Sequence, residues 1–392
     1  MCCQIGAREH YAVPRALERL GSLKELFTDF WARPGDWRGL KSNGRFHSGL
    51  AKSAVTASNL GAIRFELTAK TRGYSGWELI QARNDWFQNF VLAGLNKNQR
   101  NGNGQPITLF AYSYAADQIF NFARRRGWTT VLGQIDPGPA DEAVVGRLNS
   151  QANDAVRPWK PPPAGYWRRW HLECDLADHI VVNSDWSRDG LIAHGAAAQK
   201  IKVVPLAFEP SDESATFIRQ YPQEFTAIRP LRVLFLGQIC LRKGVDALFE
   251  AIKLLRGEPI EFWFVGSVQV DIPVELRSGS RIRWIGPVPR SHVGDYYRKA
   301  DVFIFPTLSD GFGLTQLEAQ SWKLPVIASR YCGPVVRHDL NGLVLQEVSA
   351  RTIADALVGL LHNPDKLQQM SSASYVSDRF SLASLGNSLV NL

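Results

Sequence analysis

No apolar run in the 392 residues approaches the ~18 that a membrane-spanning helix needs, so the sequence predicts no spanning segment. The N-terminus, Met1-Cys2-Cys3-Gln4-Ile5-Gly6, has no basic stretch leading into an apolar core. A secretory signal is therefore not expected, and a cytoplasmic location is. Five cysteines (Cys2, Cys3, Cys174, Cys240 and Cys332) are odd in number and scattered. They lack the paired short spacings of a zinc site or a disulfide framework and are read as reduced thiols. There is no internal repeat. A glycine fingerprint after a first strand, followed by an acid about 20 residues on, is also missing, which argues against a nicotinamide-dependent oxidoreductase. No recognised nucleic-acid motif accompanies the dispersed basic residues.

What is present is ordinary for a globular chain: 45% apolar and 21% charged residues. The length exceeds what one core usually serves, so two domains of roughly 150 to 200 residues are expected. The formal charge of +8 favours an anionic partner, whether a nucleic acid, a lipid surface or a phosphorylated substrate.

The second half alternates short β-branched apolar runs with amphipathic stretches, as βαβ units building a parallel sheet do. Strands are predicted at 231–236, 260–265, 281–285, 301–305 and 325–328, and helices at 245–255, 292–299 and 314–322. The first half is less legible. Strands are predicted there at 107–112, 129–132 and 179–183, with helices at 78–95 and 115–125 and surface loops at 96–106 and 158–165. Periodicity is lost across 205–230. The expected division is 1–205 and 206–392, an arrangement compatible with the C-terminal helix packing back on the first domain.

The sharpest motif is Asp310-Gly311-Phe312-Gly313-Leu314-Thr315-Gln316-Leu317-Glu318, which follows a strand and enters a helix. Gly311 and Gly313 allow close backbone approach, and free amides at a helix start favour an anion. The two acids can flank a diphosphate, one meeting a sugar and the other a ribose. That is the layout of a nucleotide sugar, with hydroxyl-rich rings at both ends of a doubly charged centre. Alternatively, Asp310 is a plain helix cap and Glu318 a partly buried acid. A second motif, Gly237-Gln238-Ile239-Cys240-Leu241-Arg242-Lys243-Gly244, stands at the C-terminal end of a strand, the edge where open α/β sheets bind ligands. Arg242 and Lys243 can stabilise a departing diphosphate, although such a turn is often only an exposed one.

Residues 231 to about 361 resemble the donor domain of the family 4 glycosyltransferases. The pattern of two acids matches Asp310 and Glu318, and Arg242-Lys243-Gly244, Leu324 to Ser329, Trp284 to Val288 and Asn341 to Val344 fit it as well. The resemblance is weaker at Glu173 to Ser187 and at Gly6-Ala7-Arg8-Glu9-His10, which stands where the family has its acceptor-side loop. It implies an α/β fold of two Rossmann-like domains facing a central cleft (GT-B), with no metal and no cofactor, in keeping with the lack of any Asp-x-Asp triplet. The implied reaction is retaining transfer of a hexose-type sugar from a nucleotide-diphosphate sugar to a glycan or lipid-linked hydroxyl, in surface polysaccharide or glycoconjugate synthesis.

The implied catalytic residues are Asp310, Lys243, Arg242 and His10. Donor binding falls to Gly237, Gln238, Val288, Gly311, Phe312, Gly313, Leu314, Thr315 and Glu318. Three departures from the family pattern keep a catalytically inactive sugar-nucleotide binder as the alternative. Asp310 stands where Glu is usual, Gln238 where Arg is frequent, and Gly133-Gln134-Ile135-Asp136-Pro137 lacks a His.

His10 has a purely structural alternative, and Asp136 reads more simply as a turn residue. Ser184, Asp185 and Ser187 read as helix caps. Arg157 to Lys160, Tyr166 to Trp170 and Arg124 to Trp128 mix cations with aromatics, which suits peripheral contact with an anionic membrane or, as readily, a solvated basic surface.

Overall fold

The computed structural model describes residues 1–33, 44–98, 106–151 and 159–392. It contains two parallel sheets, each flanked by helices.

The first sheet has seven strands: β1 (Cys2–Gln4), β2 (Leu26–Thr28), β3 (Val55–Ala57), β4 (Thr108–Tyr112), β5 (Thr129–Gly133), β6 (His179–Val182) and β7 (Ile201–Val203). Their spatial order is β3-β2-β1-β4-β5-β6-β7. Around it lie α1 (Ala12–Arg19), α2 (Asn59–Thr71), α3 (Gly76–Asn98), α4 (Asp117–Arg124), α5 (Pro139–Gln151), α6 (Tyr166–Leu176) and α7 (Asp185–Ala193). The second part of the chain starts with the single turn α8 (Asp212–Ala215). Its strands are β8 (Leu231–Leu236), β9 (Ile260–Val265), β10 (Ile282–Gly286), β11 (Val302–Phe305), β12 (Val326–Ser329) and β13 (Gly342–Leu345), in the order β10-β9-β8-β11-β12-β13. Its helices are α9 (Val245–Leu254), α10 (Arg290–Lys299), α11 (Thr315–Ser321), α12 (Ala350–Leu361), α13 (Pro364–Ser372) and α14 (Leu382–Val390).

Both sheets reverse direction of winding at one point, between β1 and β4 in the first and between β8 and β11 in the second. Loops diverge there, leaving a crevice at the carboxyl ends of the strands. The motif after β8 and the motif after β11 thus face one crevice. Helix α14 presents Leu382, Leu385 and Leu389 to Ala12, Val13 and Ala16 of α1, so the end of the chain is buried against the first domain. Burying each of these leucines stabilises that return by roughly 1.5–3 kcal/mol.

Strands β8 and β9 keep the predicted places because they are buried along most of their length and read as apolar runs interrupted only by Arg232 and Glu261. Two expectations for the first half change. Helix α3 continues to Asn98, so the predicted loop 96–106 starts inside a helix, and 99–105 lie outside the described residues. The aromatic residues at 166–170 do not form a surface patch. Tyr166 and Trp170 are buried, Trp170 in the core beneath β5, and Arg169 pairs with Asp85 and Asp117. Trp128 packs on Phe122. Arg157 and Pro158 lie outside the described residues. Among those described, no helix is long and apolar enough to cross a membrane, and Cys2, Cys3, Cys174, Cys240 and Cys332 are all free thiols.

Candidate functional site

A cavity of about 530 Å³ occupies the space between the two crevices, within the range of small-molecule sites. Its floor on the second domain is made by the two switch-point loops. The turn Leu241–Lys243 ends at Gly244, whose left-handed φ of 70° and close fit against the Pro306 carbonyl leave no room for a side chain. The Arg242 carbonyl accepts the Leu308 amide at 2.8 Å and the Thr307 hydroxyl at 3.2 Å, so the loop after β8 is stitched to the loop after β11. This places Arg242 and Lys243 beside Asp310.

The Lys243 ammonium pairs directly with the Asp310 carboxylate and lies 4.8 Å above the Phe305 ring. Burial alone would raise the Asp310 pKa, but Lys243, Arg242 and the Phe312 amide (3.1 Å) outweigh it and hold the group below its ordinary value. Asp310 is therefore ionised near neutrality. Arg242 donates to the Ser309 carbonyl at 2.7 Å and stands 3.8 Å from Asp141 of α5, across the domain boundary. Burial pushes the Asp141 carboxyl up despite that guanidinium.

Gly237, Gln238, Gly311, Gly313, Leu314 and Thr315 line the same cavity, and the Thr315 hydroxyl has no partner among the described residues. Phe312 contributes to the wall, but its ring is buried against Phe380. Helix α11 is only Thr315–Ser321, so its dipole is short and the cationic side chains are the larger local charges.

Glu318 stands outside the cavity lining. It accepts from the Tyr297 hydroxyl at 2.9 Å and is 3.9 Å from the Arg290 guanidinium. Val288 packs partly buried against the apolar cluster of Trp263 and Tyr297, and Trp284 stacks on Phe264 at 4.3 Å within the core.

From the first domain, Arg8 and Glu9 reach the cavity. They belong to a run in which Glu9, His10 and Tyr11 all have positive φ (48°, 54° and 61°), a conformation costly for non-glycine residues and concentrated at functional sites. Burial pushes the Glu9 carboxyl up to about 7, opposed by Arg8 and by a 3.5 Å contact from the Tyr112 hydroxyl. His10 stands at the rim rather than in the lining and pairs with Arg290 of the other domain. Burial and that guanidinium push its imidazole down to about 4, so the ring is neutral. Arg290 thereby bridges His10 and Glu318.

Asp136 lines the cavity while one of its oxygens accepts from the Tyr114 hydroxyl (2.6 Å), the Gln134 amide (2.9 Å) and the Gly138 amide (2.9 Å). Gln134, in the stretch that lacks the family's His, accepts from Trp170 Nε1 at 3.0 Å. Ser184 caps α7 as expected, and it also bonds the Gly311 carbonyl of the opposite domain.

Sequence reasoning missed Asp141, Arg290 and Asn183, which lines the cavity and donates to the Ile135 carbonyl at 3.2 Å. The acid after Gly138 reads as a helix-start residue, and nothing local signals that it will meet Arg242.

Residues 230–363 match the family described as Glycosyl transferases group 1. The D-inositol 3-phosphate glycosyltransferase of Xylanimonas cellulosilytica is 29% identical over 318 residues, covering 73% of this chain and 75% of that protein. Against other curated relatives the match spans about half their length, as with the 55% covered in Thermobispora bispora. In overall fold the chain is similar to sucrose-phosphate synthase from Thermosynechococcus elongatus (TM-score 0.65, 17% identity, covering 100% of this chain and 96% of that one). It is also similar to Anabaena HepE, solved in complex with UDP-glucose (TM-score 0.62, 14% identity, 100% and 98%). Two facing Rossmann-like domains, the GT-B arrangement, are common to this group.

Proposed function

Because its C-terminal domain belongs to the group 1 glycosyltransferases and the whole chain is of the family 4 type on a GT-B fold, we propose that this protein transfers a hexose-type sugar from a nucleotide-diphosphate sugar to a hydroxyl of a glycan or lipid-linked acceptor. The observation that carries the reading is the convergence of Arg242, Lys243 and the 310–315 turn on one cavity at the switch point of the second sheet.

In this reading the diphosphate lies against Lys243, Arg242 and the backbone of Gly311 to Thr315, and the sugar reaches Asp310. Glu318 meets the ribose as the rim segment around Val288 and Arg290 adjusts to the nucleoside. The acceptor enters from the Arg8–His10 side. Its hydroxyl oxygen forms a bond to the anomeric carbon on the face from which the diphosphate oxygen leaves. The proton passes to the departing phosphate, and the configuration is retained. Lys243 and Arg242 meet the charge that develops on the leaving group, so neither a metal nor a cofactor is required. Asp310 releases Lys243 to the phosphate when the donor enters. The product serves surface polysaccharide or glycoconjugate synthesis, with the enzyme in peripheral contact with an anionic membrane.

The Lys243–Asp310 pair favours a second reading, a sugar-nucleotide binder that turns nothing over, if the lysine stays with the carboxylate when the donor is bound. A panel of nucleotide sugars tested for thermal stabilisation and then for donor hydrolysis and transfer decides between them. Stabilisation with turnover supports the enzyme, and stabilisation alone supports the binder. No stabilisation by any nucleotide sugar sinks both.

A further inference from the structure

A surface helix of a globular protein normally has one apolar face, turned to the core. Helix α2 has two. Phe65 and Ala69 face inward, with Phe65 stacked on Trp86 of α3 at 5.5 Å and Ala69 buried. On the opposite side Leu60, Ile63 and Leu67 form an i, i+3, i+7 stripe that faces solvent, with exposures of 62%, 44% and 61%. Arg64 and Lys70 are exposed to either side of the stripe, and neither has a carboxylate partner among the described residues. Glu66, the helix's only acid, is held by Arg83 of α3 at 2.8 Å.

We propose that the Leu60-Ile63-Leu67 stripe of α2 docks the protein on an anionic lipid bilayer, with the apolar side chains entering the interface and Arg64 and Lys70 meeting lipid phosphates. The charge pattern selects this occupant. Apolar residues flanked by cations match the boundary between acyl chains and negatively charged headgroups. A second copy of the chain fits poorly, because two-fold pairing of the stripe would bring each cationic flank near its own equivalent on a chain already carrying +8.

The position of the stripe gives the docking a use. Helix α2 begins at the carboxyl edge of β3, the same edge of the sheet that opens on the cleft. Asn59, its first residue, exchanges two hydrogen bonds with the Trp31 backbone (2.9 and 2.7 Å), and the Trp31 ring packs on Tyr11 at 5.2 Å. Tyr11 follows Glu9 and His10 at the cleft. A bilayer seated on α2 therefore lies next to the side from which the acceptor enters. The docking rests on the proposed lipid-linked acceptor for its purpose only, not for its physics.

The test is co-sedimentation of the full chain with vesicles of phosphatidylcholine alone or with phosphatidylglycerol as roughly a third of the lipid. Wild type is expected to bind the mixed vesicles and not the neutral ones. Leu60→Ser/Ile63→Ser/Leu67→Ser should lower the partition coefficient about ten-fold or more. Arg64→Gln/Lys70→Gln should lower it by about five-fold for each cation removed. Melting temperature and stabilisation by nucleotide sugars should stay at wild-type values in both variants, since no altered residue lines the cleft. Loss of donor response in wild type would overturn the transferase reading and leave the docking standing. Equal vesicle binding by wild type and the triple variant overturns the docking. So does no vesicle binding by wild type, or a wild-type dimer that the triple variant converts to monomer.

Discussion

The Ser184 hydroxyl donates to the Gly311 carbonyl at 2.6 Å, so the residue that caps α7 in the first domain also holds the glycine turn of the second. Ser187 adds a 3.3 Å bond to the same oxygen, and Trp186 Nε1 donates to Ser309 at 3.1 Å. The segment 184–187 is thus a clasp on the loop that floors the cavity.

Closing the clasp requires a glycine at 311. A Cβ there would stand 2.3 Å from the Ile135 carbonyl oxygen, and a backbone atom cannot yield cheaply. Gly311→Ala should cost about 1–3 kcal/mol and hold the domains apart, seen as a larger radius of gyration in solution scattering and as reduced turnover. Ser184→Ala removes both the bond to Gly311 and the cap of α7, with Ser187 still bonded to the same carbonyl, and should cost about 1–3 kcal/mol. Equal scattering curves for wild type and Gly311→Ala would show that the contact does not govern closure.

Lys243→Ala removes the cation that faces both Asp310 and the cavity. Turnover should fall by roughly 10² to 10³, on the scale of deleting a transition-state donor. The Asp310 pKa, held low against burial chiefly by Lys243, should rise in the variant. Steady-state kinetics, with thermal melting as the control for folding, check this. Unchanged kcat would remove Lys243 from the chemistry.

Two carboxyls, the part-buried Glu9 and the buried Glu173, set a pH dependence. Burial raises Glu9 to about 7, and raises Glu173 to about 8 even though Glu173 accepts the Tyr114 and Ala116 amides at 2.7 Å each. The unfolded chain releases these protons near the ordinary glutamate value of 4.5, whereas the folded chain keeps them longer. Their contribution to stability is therefore fully present below that pH and is lost as pH rises through about 7 for Glu9 and about 8 for Glu173. Denaturant titrations across this window should show wild type weakening more steeply with pH than Glu9→Gln or Glu173→Gln. Parallel curves for all three would refute the assignment.

Chelation should leave turnover unchanged. Among the described residues no group of three His, Cys, Asp or Glu side chains is placed to hold a metal, and Arg242 and Lys243 already supply positive charge at the cavity. Loss of activity in EDTA that a divalent cation restores would overturn this expectation.

Legibility followed the length and burial of each element. Strands β8 and β9 have the very bounds that the apolar runs predict, because five of the six residues in each are apolar and only Arg232 and Glu261 interrupt them. In the first half, β1, β2 and β3 are three residues each, too short to show a period. Helix α2, apolar on two faces, shows no clean amphipathic signal. Nor does anything in Glu9-His10-Tyr11 announce left-handed backbone, since none is the glycine that usually marks it.

By itself the sequence determined the βαβ pattern of the second half and the placing of the Gly237–Gly244 and Asp310–Glu318 motifs after strands of one sheet, since these depend on residues adjacent in the chain. Only the tertiary structure decided that Asp141 stands by Arg242, that Arg290 joins His10 to Glu318, and that Ser184 grips Gly311. Those pairs are far apart along the chain, and their meeting is fixed by two separately built cores packing against one another, for which neighbouring residues carry no code.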